Sequence, residues 1–126
     1  MFLKFKSQDE RKQYGGSCFI EISFCKLPKG AKEDTILSDI HYWREDSLYV
    51  SGGASFNEVY KDIFGIGLVD EGKEDLFDFY GVTYYKPEKI DDIIKRAIEV
   101  KPEGYEILTD WLKKAKSYNG FYILGM

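Results

Sequence analysis

Ser17-Cys18-Phe19-Ile20-Glu21-Ile22-Ser23-Phe24-Cys25-Lys26 is the stretch from which the fold is read. Cys18, Ile20, Ile22 and Phe24 share one face at the two-residue period of an extended chain, which predicts a β-strand. Leu27-Pro28-Lys29-Gly30 breaks it. Both cysteines of the chain lie in this strand. Seven steps at ~3.3 Å set their thiols about 23 Å apart on opposite faces. A disulfide needs Cα atoms within about 7 Å, so none is expected between them. Two unpaired thiols, with no basic–apolar–small leader, lead to the expectation of a reducing cytoplasm.

Before this strand, Phe2, Leu3 and Phe5 alternate in a short strand over residues 1–6, and residues 7–13 read as polar loop ending at Gly15-Gly16. After it, a charged loop leads to residue 34. Residues 36–43 and 47–51 then read as two strands around a tight Arg44-Glu45-Asp46 connection. Ser55-Phe56-Asn57-Glu58 has the form of a capping box, in which hydroxyl and carboxylate each satisfy a free backbone N–H. Phe56, Val59, Tyr60, Ile63 and Phe64 follow it at helical spacing, and Gly65 is placed to close the helix.

Residues 70–75 form an acidic loop, and residues 76–85 return to strand character with a bend at Gly81. Pro87 starts a helix striped by Ile90, Ile93, Ile94, Ala97 and Ile98. Pro102 leads into a last helix striped by Tyr105, Leu108, Trp111, Leu112 and Ala115. Acidic residues precede basic ones in both helices, which complements the helix dipole and accounts for those charges. Asn119-Gly120 ends the last helix, and residues 121–124 read as a closing strand buried on both faces. The order predicts one α+β domain spanning residues 1–126: a largely antiparallel sheet with about three helices packed on one face.

The 126 residues are 44% hydrophobic and 32% charged with only 3 prolines, which excludes a disordered linker. No apolar run approaches the ~20 residues of a membrane span. A net charge of −4 and a pI near 5.1 argue against direct binding to nucleic acid or anionic membrane, both of which select a basic face. The single histidine, His41, and two separated cysteines cannot assemble a zinc set. Asp70-Glu71-Gly72-Lys73-Glu74-Asp75 lacks the spacing of a calcium loop and carries a lysine at its centre, so no metal or other cofactor is expected.

Asp39 and His41 would share a strand face near Ser38 or Ser47, yet no nucleophile sits in a recognisable elbow. Ser51-Gly52-Gly53-Ala54-Ser55 joins a strand to a helix start and can present backbone N–H groups to an anion. It lacks the endings of a P-loop or a dinucleotide motif, and a turn plus an N-cap accounts for it. Glu71-Gly72-Lys73, with Asp62 upstream, has the acidic-x-Lys form of some nucleases, but its flanks read as loop. No catalytic residue is assigned.

The charge is uneven. Residues 36–85 hold 10 acidic residues against 3 basic, whereas the flanking segments are slightly positive. The same block holds Tyr42-Trp43-Arg44, residue types that anchor protein interfaces.

With Asp39, Glu45, Asp46, Asp70, Glu71, Glu74, Asp75 and Asp78 around the aromatic pair Tyr42-Trp43, and no catalytic set, the chain resembles the bacterial polymorphic-toxin immunity proteins. The resemblance is one of class, in size and character, and transfers no residue from a specific motif. It implies a small cytoplasmic protein that neutralises a toxin domain by occluding its active site. The implied partner is a basic protein, met by Tyr42, Trp43, Arg44, Glu45 and Asp46 on a hairpin, with Asp70, Glu71, Glu74 and Asp75 as a steering rim. Three other readings stay open. One is a phage-type inhibitor of a nucleic-acid enzyme. Another is a small enzyme or ligand-binding domain using Gly52-Gly53 and His41. The last is a homo-oligomer in contact through residues 121–126.

Overall fold

The computed structural model describes residues 1–15, 19–51 and 53–125. The reading of Cys18 and that of Gly52 therefore lie outside the described residues. Period-two alternation becomes seven short strands: β1 (Phe2–Leu3), β2 (Ile20–Phe24), β3 (Leu48–Val50), β4 (Gly67–Leu68), β5 (Glu74–Asp75), β6 (Val82–Tyr85) and β7 (Phe121–Leu124). They form one sheet in the order β1-β3-β2-β7-β6-β4-β5, and every neighbouring pair is antiparallel. The closing strand read at residues 121–124 is thus the central one. Ile123 pairs with Ile22 on one side and Thr83 on the other.

Alternation divides the side chains between two cores. On the first face Phe2, Ile20, Ile22, Phe24, Leu48, Val50, Tyr85, Phe121 and Ile123 meet three helices. These are α3 (Gly53–Phe64), α4 (Ile90–Val100) and α5 (Tyr105–Ala115). Trp111 of α5 stacks on Phe24 at 4.1 Å between ring centroids, and Arg96 of α4 donates to the Ile63 and Phe64 carbonyls that end α3. Two stripe residues point outward instead: Val59 and Ile98 are exposed.

The second face is covered as well, contrary to the expectation of helices on one side. Helix α1 (Gln8–Gly15) replaces the polar loop expected at residues 7–13. Ser7 Oγ accepts the Glu10 N–H at 3.2 Å while the Glu10 carboxylate accepts the Lys6 N–H at 3.0 Å, so its first turn is closed by its own side chains. Helix α2 (Glu33–Ser38) replaces the start of the strand expected at residues 36–43. Its Ile36 packs with Cys25, Tyr84, Tyr122 and Leu124. Phe5, Phe19 and Tyr49 form a separate aromatic cluster nearer β1. Helix α3 begins at Gly53, so Ser55 lies inside its first turn and not at the cap the Ser55–Glu58 spacing predicts. Gly65, at φ +67°, does close it. The result is three layers: three helices, the sheet, and two helices with their connecting loop.

The position of β7 leaves little of residues 121–124 at the surface. Phe121–Leu124 are buried between β2 and β6 and between both outer layers. Gly125 is half-buried, and Met126 lies outside the described residues.

Candidate functional site

The residues expected on a hairpin lie in an ordered loop, 39–46, laid over the second face between α2 and β3. Strand β2 directs Glu21 toward this loop and leaves it 1% exposed. A buried carboxylate needs partners, and the loop supplies them. Glu21 accepts the Trp43 N–H at 2.8 Å, the Arg44 N–H at 3.1 Å and the Ser47 hydroxyl at 2.7 Å. Trp43 adopts φ +66°, which turns successive N–H groups toward one point and makes an anion nest occupied by the protein's own carboxylate. That left-handed conformation costs a non-glycine residue about 1–2 kcal/mol, offset here by charge-assisted hydrogen bonds.

Aromatic packing completes the anchor. The Trp43 ring lies parallel to Tyr49, and the Arg11 guanidinium sits 3.6 Å from the Trp43 centroid. The Tyr49 hydroxyl donates to the Arg44 carbonyl at 2.7 Å. Burial, reinforced by the Glu21 charge, pushes the Tyr49 phenol up. From the opposite layer, Trp111 Nε1 donates to the Asp46 carbonyl at 2.8 Å, and Lys26 pairs with the Asp46 carboxylate at 2.6 Å. The loop is therefore held at residues 43–46.

This geometry sorts the five expected contact residues. Tyr42 is 51% exposed and Glu45 is exposed, so both face solvent. Trp43, Arg44 and Asp46 are half-buried, and Trp43 serves the loop's own packing. The tight hairpin is corrected to a loop because the chain ahead of it winds into α2 and leaves Trp43 no extended partner. Asp70, Glu71, Glu74 and Asp75 are all exposed, the first two in a 3-10 turn at Asp70–Gly72 and the others forming β5. That turn leans on α2, with Gly72 against the Glu33 carboxylate. Helix α2 thus joins both expected contact regions in one layer.

The chain matches no family model, no curated protein and no solved structure.

The other spacings resolve into local partnerships. Asp39 and His41 do meet, at 3.1 Å, but in an exposed loop. Neither serine serves them: the Ser38 hydroxyl donates to the Asp34 carbonyl and that of Ser47 to Glu21. Asp39, His41 and Arg44 border a small hollow of about 100 Å³ floored by Ser23 and Tyr122. His41 stands over the second face while α3 packs on the first, so the structure does not unite His41 with the start of α3. Glu71 and Lys73 pair with each other at 3.8 Å in solvent, and Asp62 lies on α3, away from that turn. Among the described residues no group of three or more His, Cys, Asp or Glu side chains is placed to hold a metal. No helix among them is long and apolar enough to cross a membrane.

Glu21 is the functional residue that no motif in the sequence marks. Its signal was an acidic residue inside a strand whose neighbours are apolar on both faces, which requires a buried partner.

Proposed function

We propose that this chain is a cytoplasmic protein-binding module that neutralises a basic protein partner by covering its active site, as the bacterial polymorphic-toxin immunity proteins do. One observation carries the reading: the second layer gathers the chain's excess acidity around a loop anchored on the buried Glu21 carboxylate. Residues 33–46 hold five acidic residues against one arginine, and residues 70–75 hold four against one lysine. Opposite fields raise the rate of encounter, and an exposed aromatic on an anchored loop binds with little loss of conformational freedom. Tyr42 and Glu45 are the contact residues, Trp43 and Arg44 shape the loop, and Asp70, Glu71, Glu74 and Asp75 steer.

The test is capture of the partner on immobilised protein across a salt series, beside a Tyr42→Ala/Glu45→Lys variant. Both positions are exposed, so the variant is expected to hold stability within about 0.5 kcal/mol of the parent. The parent is expected to retain a stoichiometric basic protein, release it as salt rises, and inhibit its activity. Equal capture and inhibition by the variant would remove the loop from the interface. Retention of a phage or host nucleic-acid enzyme in place of a toxin would favour the phage-type inhibitor.

A further inference from the structure

Helix α2 is only six residues long and leaves part of the second face uncovered toward β4 and β5. The gap is a hollow of about 390 Å³, within the range of small-ligand pockets. Its floor is apolar: Ile36 from α2, Leu68 from β4 and the ring of Tyr84 from β6. The Tyr84 hydroxyl is already spent on the Asn119 carbonyl at 2.7 Å. Two carboxylates stand at the rim, Glu33 from the first turn of α2 and Glu74 from β5. Two ammonium groups join them, Lys86 just after β6 and Lys89, whose Nζ is steadied by the Ile66 carbonyl at 2.7 Å.

The two signs do not cancel. Among the described residues no ion pair within 4.0 Å joins either carboxylate to either lysine. A purely basic guest would meet Lys86 and Lys89, and a purely acidic one would meet Glu33 and Glu74. A dipolar guest satisfies all four, and an apolar body fills the floor. We propose that this hollow binds a small zwitterion with an apolar side chain, either a free amino acid or a dipeptide. Its ammonium lies at Glu33 and Glu74, its carboxylate at Lys86 and Lys89, and its side chain on Ile36, Leu68 and Tyr84. The site shares Glu74 with the steering residues above but does not rest on the partner reading.

The test titrates the full chain with leucine, phenylalanine and leucyl-leucine by calorimetry and by amide chemical shifts. N-acetylleucine and leucinamide serve as probes lacking one charge each. The zwitterions are expected to saturate, with shifts centred on β4, β6 and α2, and each blocked form to bind about tenfold more weakly. The ratio of leucine to leucyl-leucine affinity sets the guest's length. Glu74→Gln and Lys86→Gln, both at exposed positions, are each expected to weaken binding about tenfold without moving the unfolding midpoint. Leu68→Trp should abolish binding by filling the floor. Blocked and unblocked forms binding equally would overturn the proposal, as would no saturation by any zwitterion at millimolar concentration. Tighter binding of N-acetyl-lysinamide, a cation with no carboxylate, would also overturn it and give the hollow to a basic side chain.

Discussion

Glu21 holds the loop that the proposed function depends on, and its removal is expected to be expensive. In Glu21→Gln an amide NH2 would replace one of two carboxylate oxygens, of which Oε1 accepts the Trp43 N–H and Oε2 accepts the Arg44 N–H and the Ser47 hydroxyl, so at least one backbone N–H would face a donor. A loss of about 3 kcal/mol is expected, read by urea denaturation, with a change in Trp43 fluorescence as its stacking on Tyr49 loosens. Gly120 is a second sensitive position, for steric reasons. It takes φ +82°, and a Cβ there would press on the Tyr85 carbonyl, while its own carbonyl accepts the Cys25 N–H at 3.0 Å. Gly120→Ala is expected to cost about 2–4 kcal/mol, because both the turn and the approach of β7 to β6 must shift.

Helix α2 is the element on which both proposals converge, and its start is weak. Lys32 at its N-cap has extended backbone but makes no side-chain hydrogen bond to the first turn. Lys32→Ser supplies that acceptor and is expected to raise the unfolding free energy by about 0.5–1 kcal/mol. Elements of this kind were the hardest to read from sequence. Ile36, Leu37, Ile40, Tyr42 and Trp43 are good strand formers, and α2 exists because Ile36 seals Tyr84, Tyr122 and Leu124 on a face the local pattern does not announce. Helix α1 was obscured by its polarity, since it buries little beyond Arg11. Its Ser7-x-x-Glu10 spacing was nonetheless the working N-terminal signal, while the same spacing at Ser55 fell inside a helix already begun. Strand β2, strand β7 and the stripes of α4 and α5 were legible because their periodicity faces a deep core on the first side. In the loop, the connection at Arg44-Glu45-Asp46 is legible from composition, whereas Tyr42 lies in the loop and not on the strand its neighbours suggest. The burial of Trp43 is not legible, because it depends on Glu21 and Arg11, distant in sequence.

At the scale of the molecule, buried phenols occur on both faces of the sheet. Burial pushes Tyr49, Tyr60, Tyr84, Tyr85 and Tyr122 up in the fold. Tyr60 donates to the Glu103 carbonyl at 2.6 Å and Tyr122 to that of Ile36 at 2.6 Å, bonds a phenolate could not make. The folded chain keeps these protons at pH values where the unfolded chain has lost them. The stability they carry is full below the ordinary phenol value near 10 and falls as pH rises above it, by up to about 1.4 kcal/mol per pH unit for each phenol. Their phenolate absorbance is therefore expected to appear together with loss of circular dichroism in an alkaline titration. Ionisation of all five ahead of unfolding would contradict their burial.

The central place of β7 has a consequence for how the protein is made. A ribosome delivers β1, β2 and β3 first, then β4, β5 and β6, yet the inner edges of these two half-sheets are joined only through residues 121–124. Until those residues leave the exit tunnel, the nascent chain carries two unpaired strand edges, at β2 and at β6. Both are open to pairing with other chains. Between the emergence of β6 and that of β7, biogenesis is thus exposed to chaperone capture and to mispairing at both edges, and residues 121–124 end that exposure.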